Sequence, residues 1–90
     1  MRFEWDPAKA RTNLRKHGVS FDEAATVFLD DFSLTGNDPD HSEDEERFVM
    51  FGISNAGRLL VIAHTARGER IRIISARPAT RPERKIYEEG

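Results

Sequence analysis

Three β-like runs follow one another in the second half of the chain, and they constrain its fold more than any other feature. The runs read "RFVMFGIS", "RLLVIAHT" and "RIRIISAR", and only "NAG" and "ARGE" separate them. Connectors this short join strands as hairpins, so the runs predict three neighbouring antiparallel strands. A sheet of this kind needs helices or a second sheet to cover one of its faces.

The remaining segments predict the helices that cover the sheet. "DPAKARTNLRKHG" begins with Asp6 as N-cap before a proline and ends at a glycine, with cationic residues in its last turn. Ser20 and Glu23 form a capping box for a second helix, and Thr80 and Glu83 form another for a last helix. With "RFEW" as a first strand and "FSLTG" as an optional one, the order is β-α-α-(β)-β-β-β-α. This order predicts the α+β class, a small antiparallel sheet packed with helices.

The length and composition suit one compact domain spanning residues 1–90, because 90 residues with 38% hydrophobic content form one core and leave no room for a second. There are no cysteines, so neither disulfides nor thiolate zinc sites support that core. The amino end carries acids and a proline where a secretory signal needs an apolar run, and no stretch is apolar enough to span a membrane. We therefore expect a cytoplasmic protein without membrane contact.

Conventional metal and cofactor motifs are absent from the sequence. The three histidines lie too far apart for a helical zinc pair. The acidic stretch "GNDPDHSEDEE", residues 36–46, lacks the glycine and spacing of an EF-hand, which favours a solvated loop over a cation site. The glycines form no phosphate-binding motif. We expect neither a metal nor a cofactor.

Charge is strongly segregated along the chain although the net charge is only -2. Residues 19–46 contain ten acids and no lysine or arginine, whereas "HTARGERIRIISARPATRPERK", residues 64–85, gathers six arginines and a lysine. A partner responds to the local potential over roughly 8 to 10 Å and not to the sum. The fold is therefore expected to present one basic face and one acidic segment.

The arginines of the last strand divide between its two sides if alternation is strict. Arg70 and Arg72 then lie on one side, and Arg77 lies on the other with Ile71 and Ile73. For Arg70 and Arg72, a plain solvent-facing role fits as well as a functional one.

Arg77 and Arg81 flank the start of the last helix, where free backbone N–H groups attract anions, so this junction predicts a phosphate site. His64 ends the middle strand and supplies a side chain that titrates near neutrality. It also follows Leu60 and Ile62 at even spacing, so a structural histidine on a covered face is an equal alternative. Tyr87 is expected to pack the last helix on the sheet more than to stack on a base.

Four stretches of this chain together resemble the BrnT toxins of bacterial type II toxin-antitoxin systems: "FEWDPAKARTNLRKHGVSFDEAATVF", "HSEDEERF", "GRLLVIAHT" followed by "RG", and "IRIISARPATRPERKIYEEG". The resemblance runs almost from end to end. It implies a RelE-like fold and a ribonuclease that inhibits translation. It also implies a BrnA-like antitoxin, encoded nearby, that holds the toxin inactive and carries the DNA-binding part, so that DNA is contacted only indirectly.

That resemblance implies RNA cleavage by the 2'-OH, which needs proton transfer and cations around the phosphate but no metal. Under this hypothesis His64 transfers a proton, Arg67 and Arg77 stabilise the phosphate and Arg81 positions it. Glu46 is a second candidate base. Two other classes stay open: a non-catalytic module that binds nucleic acid or protein through its basic face, and a gyrase-directed toxin like the similarly folded ParE toxins.

Overall fold

The structure is a computed structural model that describes residues 1–38, 40 and 45–90. Much of the predicted acidic loop therefore lies outside the described residues. The elements follow the predicted order, with the optional strand present and a short 3₁₀ turn, Val27–Leu29, after the second helix. They are β1 Arg2–Glu4, α1 Pro7–His17, α2 Phe21–Thr26, β2 Leu34–Asn37, β3 Arg47–Ile53, β4 Leu59–Arg67, β5 Arg70–Pro78 and α3 Arg81–Glu89.

The sheet confirms the α+β class and both predicted hairpins. Its strand order is β1-β5-β4-β3-β2, and β2, β3, β4 and β5 pair in antiparallel fashion. β1, however, runs parallel to β5, with Phe3 beside Ile71, so the sheet is mixed and not wholly antiparallel. The chain reaches β2 only after crossing one face of the sheet through α1 and α2, which places β1 and β2 at opposite edges. No helix among the described residues is long and apolar enough to cross a membrane.

Local signals at the helix ends act largely as predicted. The Asp6 carboxylate accepts the Ala8 N–H at 2.8 Å, and Gly18 ends α1 with a positive φ of 69°, which favours glycine. The Ser20 hydroxyl accepts the Glu23 N–H, but the Glu23 carboxylate turns away to pair with the Arg58 guanidinium at 2.6 Å. The predicted second half of that capping box is therefore replaced by an ion pair that ties α2 to the turn before β4.

The hydrophobic core lies between one face of the sheet and the helices α1 and α2. Its buried members include Val19, Phe21, Leu60, Ile62 and Ile73. Beyond the end of β1, the edge of β5 has no neighbouring strand, and the buried Asn13 amide bonds the backbone of β5 there. Its Nδ2 donates to the carbonyls of Ala76 and Val19, and its Oδ1 accepts the Ala76 N–H. These bonds satisfy backbone groups that would otherwise be buried without partners.

A β-bulge in β5 overturns the predicted alternation along "RIRIISAR". Ile73 pairs with His64, whereas Ser75 pairs with the preceding β4 residue, Ala63, so Ile74 is an extra residue. Every side chain after the bulge consequently changes sides. Arg77 therefore lies on the same face as Arg70 and Arg72, and not with Ile71 and Ile73 as strict alternation predicts.

The helix α3 lies on the face of the sheet opposite to α1 and α2, which we call the open face. The Tyr87 hydroxyl donates to Asp30 Oδ2 at 2.6 Å, which fixes the end of α3 to the turn before β2. Although burial raises the pKa of Asp30, hydrogen bonds from the Ile53 N–H and from Tyr87 lower it. The same Asp30 contact raises the pKa of Tyr87 to about 12. Tyr87 thus packs α3 on the body of the protein, as predicted.

Candidate active site

The sheet register gathers five arginines at one end of the open face, and we call this group the basic face. Arg67 of β4 lies beside Arg70 of β5, which lies beside Arg2 of β1. Two residues along the strands, Arg47 of β3 and Arg72 of β5 flank the same position of β4. Cross-strand neighbours lie about 5 Å apart on a common face. The sequence cluster of arginines is thereby extended with Arg2 and Arg47 from distant segments.

Two carboxylates bind the arginines of the basic face. Glu4 contacts Arg72 at 3.0 Å and Arg70 at 3.5 Å, and Glu45 accepts two hydrogen bonds from the Arg67 guanidinium, at 3.1 and 2.8 Å. The hydrogen bond from Arg72 lowers the pKa of Glu4, and the one from Arg67 lowers the pKa of Glu45. The Arg67–Glu45 pair is exposed and adds little stability, so its main effect is to hold the Arg67 guanidinium in place; the Glu4–Arg72 pair is half-buried.

Arg77 lies at the other end of the open face, where it anchors α3. Its two terminal nitrogens donate to the two Glu83 oxygens, each at 2.8 Å. This bidentate contact is the main cause that lowers the pKa of Glu83 to about 2. The donors that the sequence assigns to a phosphate are therefore already bound to a carboxylate.

The start of α3 confirms the predicted capping box. The Thr80 hydroxyl accepts the Glu83 N–H, and Glu83 Oε1 accepts the Thr80 N–H. Part of the anion-attracting set of backbone donors is thus used internally. Arg81, in the first turn, is exposed, and among the described residues no carboxylate pairs with it.

His64 lies on the covered face of the sheet and not with the arginines. It is only 7% exposed, its ring stacks on Phe48 with centroids 5.7 Å apart, and Phe28 meets it edge-on at 4.9 Å. Burial lowers its pKa, against a weak opposing contact of Nδ1 with the Ile62 carbonyl at 3.4 Å. The even spacing with Leu60 and Ile62 correctly places His64 on the covered side.

The predicted site residues therefore divide into separate groups. Arg67 belongs to the basic face, and Glu46 is exposed just before β3, next in sequence to the Glu45 that binds Arg67. Arg77 is six residues of strand from the Arg67 position, about 20 Å at 3.3 Å per residue. One phosphate cannot contact both arginines at that separation. His64 is on the other side of the sheet.

Sequence reasoning missed Glu4, Arg2 and Arg47 as neighbours of this site. Arg2 and Glu4 alternate along "RFEW", which is a local sign that both lie on one side of a strand. Nothing in the sequence indicates that this strand pairs with β5. Glu4 and its partner Arg72 are 68 residues apart in the chain.

Comparison with known proteins gives one family. The family model described as the ribonuclease toxin BrnT of type II toxin-antitoxin systems matches residues 5–83. Among solved structures, the ribonuclease toxin BrnT of Brucella abortus superposes with a TM-score of 0.68 at 26% identity, over 90% of this chain and 99% of that chain. A search of curated protein sequences gives no significant match.

Proposed function

Because the chain belongs to the family of BrnT ribonuclease toxins of type II toxin-antitoxin systems, we propose that it is an endoribonuclease that inhibits translation by cleaving RNA bound across its basic face. The observation that carries this proposal is the arrangement of Arg47, Arg67, Arg70 and Arg72 in neighbouring cross-strand positions on one exposed surface. Arginine forks bind phosphate oxygens bidentately. A row of them follows a nucleic-acid backbone better than it fits a single small anion.

The proposed reaction uses the 2'-OH of the substrate as the nucleophile. A carboxylate accepts the 2'-OH proton, O2' attacks the adjacent phosphorus, the bond from phosphorus to the 5' oxygen breaks, and that oxygen takes a proton from water. Arginines stabilise the charge that grows on the phosphate. Chemistry of this kind requires no metal and is specific to RNA, because DNA lacks the nucleophile.

Glu46 is the carboxylate that we assign as proton acceptor. It is exposed and directly precedes Arg47 of the basic face in sequence, whereas its neighbour Glu45 is bound to Arg67 and Glu4 is bound to Arg70 and Arg72. A proton-transfer role for His64 is less favoured by the geometry, because a buried ring on the covered side does not reach a phosphate on the open side.

Incubation of the purified chain, free of any antitoxin, with total RNA in EDTA tests this proposal. We expect cleavage, and fragments ending in a cyclic or 3' phosphate. Arg67→Gln and Glu46→Gln should each lower the rate at least tenfold, since one lost phosphate donor typically costs 10² to 10³ in rate. Arg15→Gln, on the exposed side of α1, is the matched control. RNA that binds without being cleaved would contradict the nuclease and favour a binding module. If RNA is not cleaved and the chain instead inhibits gyrase in an assay with that enzyme, a ParE-like action is favoured.

The antitoxin that this family implies is proposed to cover the same surface. Beside the basic face, the open face holds an apolar groove of about 290 Å³ between β2 and α3, with Leu34, Val49, Phe51 and Ile86 among its walls. An amphipathic segment with apolar anchors for this groove and acidic residues for the arginines would associate quickly and dissociate slowly.

Hydrogen exchange on the co-purified complex tests that placement. We expect protection over residues 64–85, which include Arg67, Arg77 and Arg81, together with protection of the groove at residues 34–37, 49–51 and 86. Protection confined to residues 30–46 would place the antitoxin on the acidic segment and would contradict this proposal. We further expect the antitoxin to supply the DNA-binding fold, as the resemblance to this family implies.

A further inference from the structure

A pocket on the covered side of the sheet opens at the same end as the basic face. It is a shallow, open depression of about 270 Å³, and its walls are almost entirely apolar. Phe48 and Ile71 line it, His64 presents its ring, and the exposed Thr35 and Ala66 form its mouth. The catalytic scheme above does not use this pocket.

We propose that this pocket binds an unpaired nucleobase of the RNA whose phosphates lie on the basic face. The inference rests on the proposed function and adds to it a substrate class, single-stranded RNA with at least one base turned out of its stack. The occupant is identified by three properties of the pocket: its shape, the imidazole of His64 in its lining and its position next to the arginines.

The shape and lining suit a planar ring. The His64 and Phe48 rings are stacked 26° from parallel, and both residues line the pocket. Bases bind to proteins by stacking on such rings, and every base has a face that can stack. Among the described residues, Nε2 of His64 makes no hydrogen bond, and the contact of Nδ1 with the Ile62 carbonyl is long at 3.4 Å. The imidazole therefore offers a hydrogen-bonding group to a base edge at the bottom of an otherwise apolar site.

The position suits a nucleotide because the pocket and the arginines are adjacent around the strand end. Ala66 pairs with Ile71 at the mouth of the pocket, and the next pair along the same strands is Arg67 with Arg70. These two cross-strand pairs are about 3.4 Å apart along the strands, and their side chains point to opposite faces of the sheet. An RNA strand that passes the β4–β5 hairpin thus places phosphates against Arg67 and Arg70 while one base enters the pocket.

Mononucleotides provide the direct test. With adenosine, guanosine, cytidine and uridine 5'-monophosphates added to the full chain, we expect nuclear Overhauser effects between base protons and the ring protons of Phe48. Ala66→Leu, which narrows the mouth, should weaken binding of at least one nucleotide roughly tenfold, the effect expected for one lost stack. Ala56→Leu, the same change in the turn at the opposite end of the sheet, is the control and should bind as wild type.

A second variant keeps the proposal falsifiable if Ala66→Leu perturbs the hairpin. His64→Phe preserves an aromatic ring and removes its nitrogens, so base binding should persist while the affinities of the four nucleotides converge. Inorganic phosphate, used as a competitor, should displace the phosphate group from the arginines without reproducing the shifts of Phe48.

Three results of the binding experiments would overturn the proposal, and a cleavage measurement gives a fourth. The first is nucleotide binding with no contact between base protons and Phe48. The second is equal binding by wild type and Ala66→Leu. The third is occupation of the pocket by a side chain of the antitoxin while nucleotides leave it untouched. If wild type and Ala66→Leu cleave RNA equally well, the pocket proposal fails and the nuclease stands. If nucleotides bind in the pocket but no RNA is cleaved, the nuclease proposal fails and the pocket proposal stands.

Discussion

The bidentate contact between Arg77 and Glu83 gives the sharpest prediction, because it decides whether Arg77 acts on RNA or holds α3. Glu83→Gln removes the charge of the carboxylate and keeps an oxygen that can accept the Thr80 N–H. The shift of the Glu83 pKa from 4.5 to about 2 corresponds to a ceiling of roughly 3 kcal/mol at 1.36 kcal/mol per unit. Since the Arg77 side chain is 40% exposed, solvent screening reduces this to about 1 to 2 kcal/mol of unfolding free energy.

The same contact predicts the pH dependence of stability. A carboxyl group whose folded pKa is depressed stabilises the fold above its unfolded pKa, and this contribution is lost as the pH falls through the folded value. The difference in unfolding free energy between wild type and Glu83→Gln should therefore be full at pH 5 to 7 and disappear between about pH 4.5 and 2. Other carboxyl groups with lowered pKa values titrate in both proteins and cancel in the difference; they are Glu4, Glu23, Asp30 and Glu45.

Urea denaturation and RNA cleavage, measured on the same variants, separate the two roles of Arg77. If Arg77 holds α3, then Arg77→Gln and Glu83→Gln lose stability and cleavage in parallel. If Arg77 binds the substrate phosphate, Arg77→Gln loses cleavage, while Glu83→Gln retains or exceeds the wild-type rate because it releases the guanidinium. Glu88→Gln, the same substitution at an exposed position of α3, is the control. An unfolding free energy of Glu83→Gln equal to that of wild type from pH 7 to pH 2 would refute this reasoning.

The other predictions concern the basic face and the core. Arg72→Gln should reduce the slope of log binding constant against log salt for single-stranded RNA by about 0.7, measured by fluorescence anisotropy; an unchanged slope would exclude contact with phosphate there. Asn13→Leu leaves the Ala76 N–H and carbonyl without their amide partner and should cost about 2 to 4 kcal/mol in urea unfolding; a loss below 1 kcal/mol would mean that water replaces the amide. Gly52→Ala places a Cβ 2.6 Å from Val27 Cγ1, so it should lower the unfolding free energy by about 1 to 3 kcal/mol and lower the Tm. An unchanged Tm would show that the 3₁₀ turn after α2 moves to accommodate the added methyl group.

Much of the fold could be predicted because its signals are local. The hairpins follow from short connectors between β-rich runs, and the helix ends follow from Asp6, Ser20 and Thr80. The position of β1 could not be predicted, because three residues carry no sign of the strand with which they pair. The partner of Glu23 was wrong for the same reason: its capping box is a local pattern, but Arg58 competes for the carboxylate from 35 residues away.

The candidate site was predicted in composition more than in arrangement. The density of arginines over residues 64–85 correctly indicates a basic surface, and the family resemblance adds ribonuclease chemistry. Period-two alternation, however, cannot detect a bulge, and one extra residue at Ile74 moves Arg77 to the other face. The pairing of His64 with Arg67 in one site fails because residues 64 and 67, three apart on a strand, face opposite sides.

The segregated charges of the sequence are brought back together by the fold. Glu45, at the end of the acidic segment, binds Arg67, and Glu4 binds Arg70 and Arg72, so carboxylates already occupy the guanidinium forks of the basic face. An RNA phosphate and an acidic antitoxin must each displace these internal partners, and both use the same charge-assisted geometry. Because the exposed Arg67–Glu45 pair contributes little net free energy, it keeps Arg67 extended and still yields to a ligand that contacts several arginines at once. The acids beside the arginines are therefore compatible with RNA binding, and they favour a ligand that contacts several arginines over a single isolated phosphate.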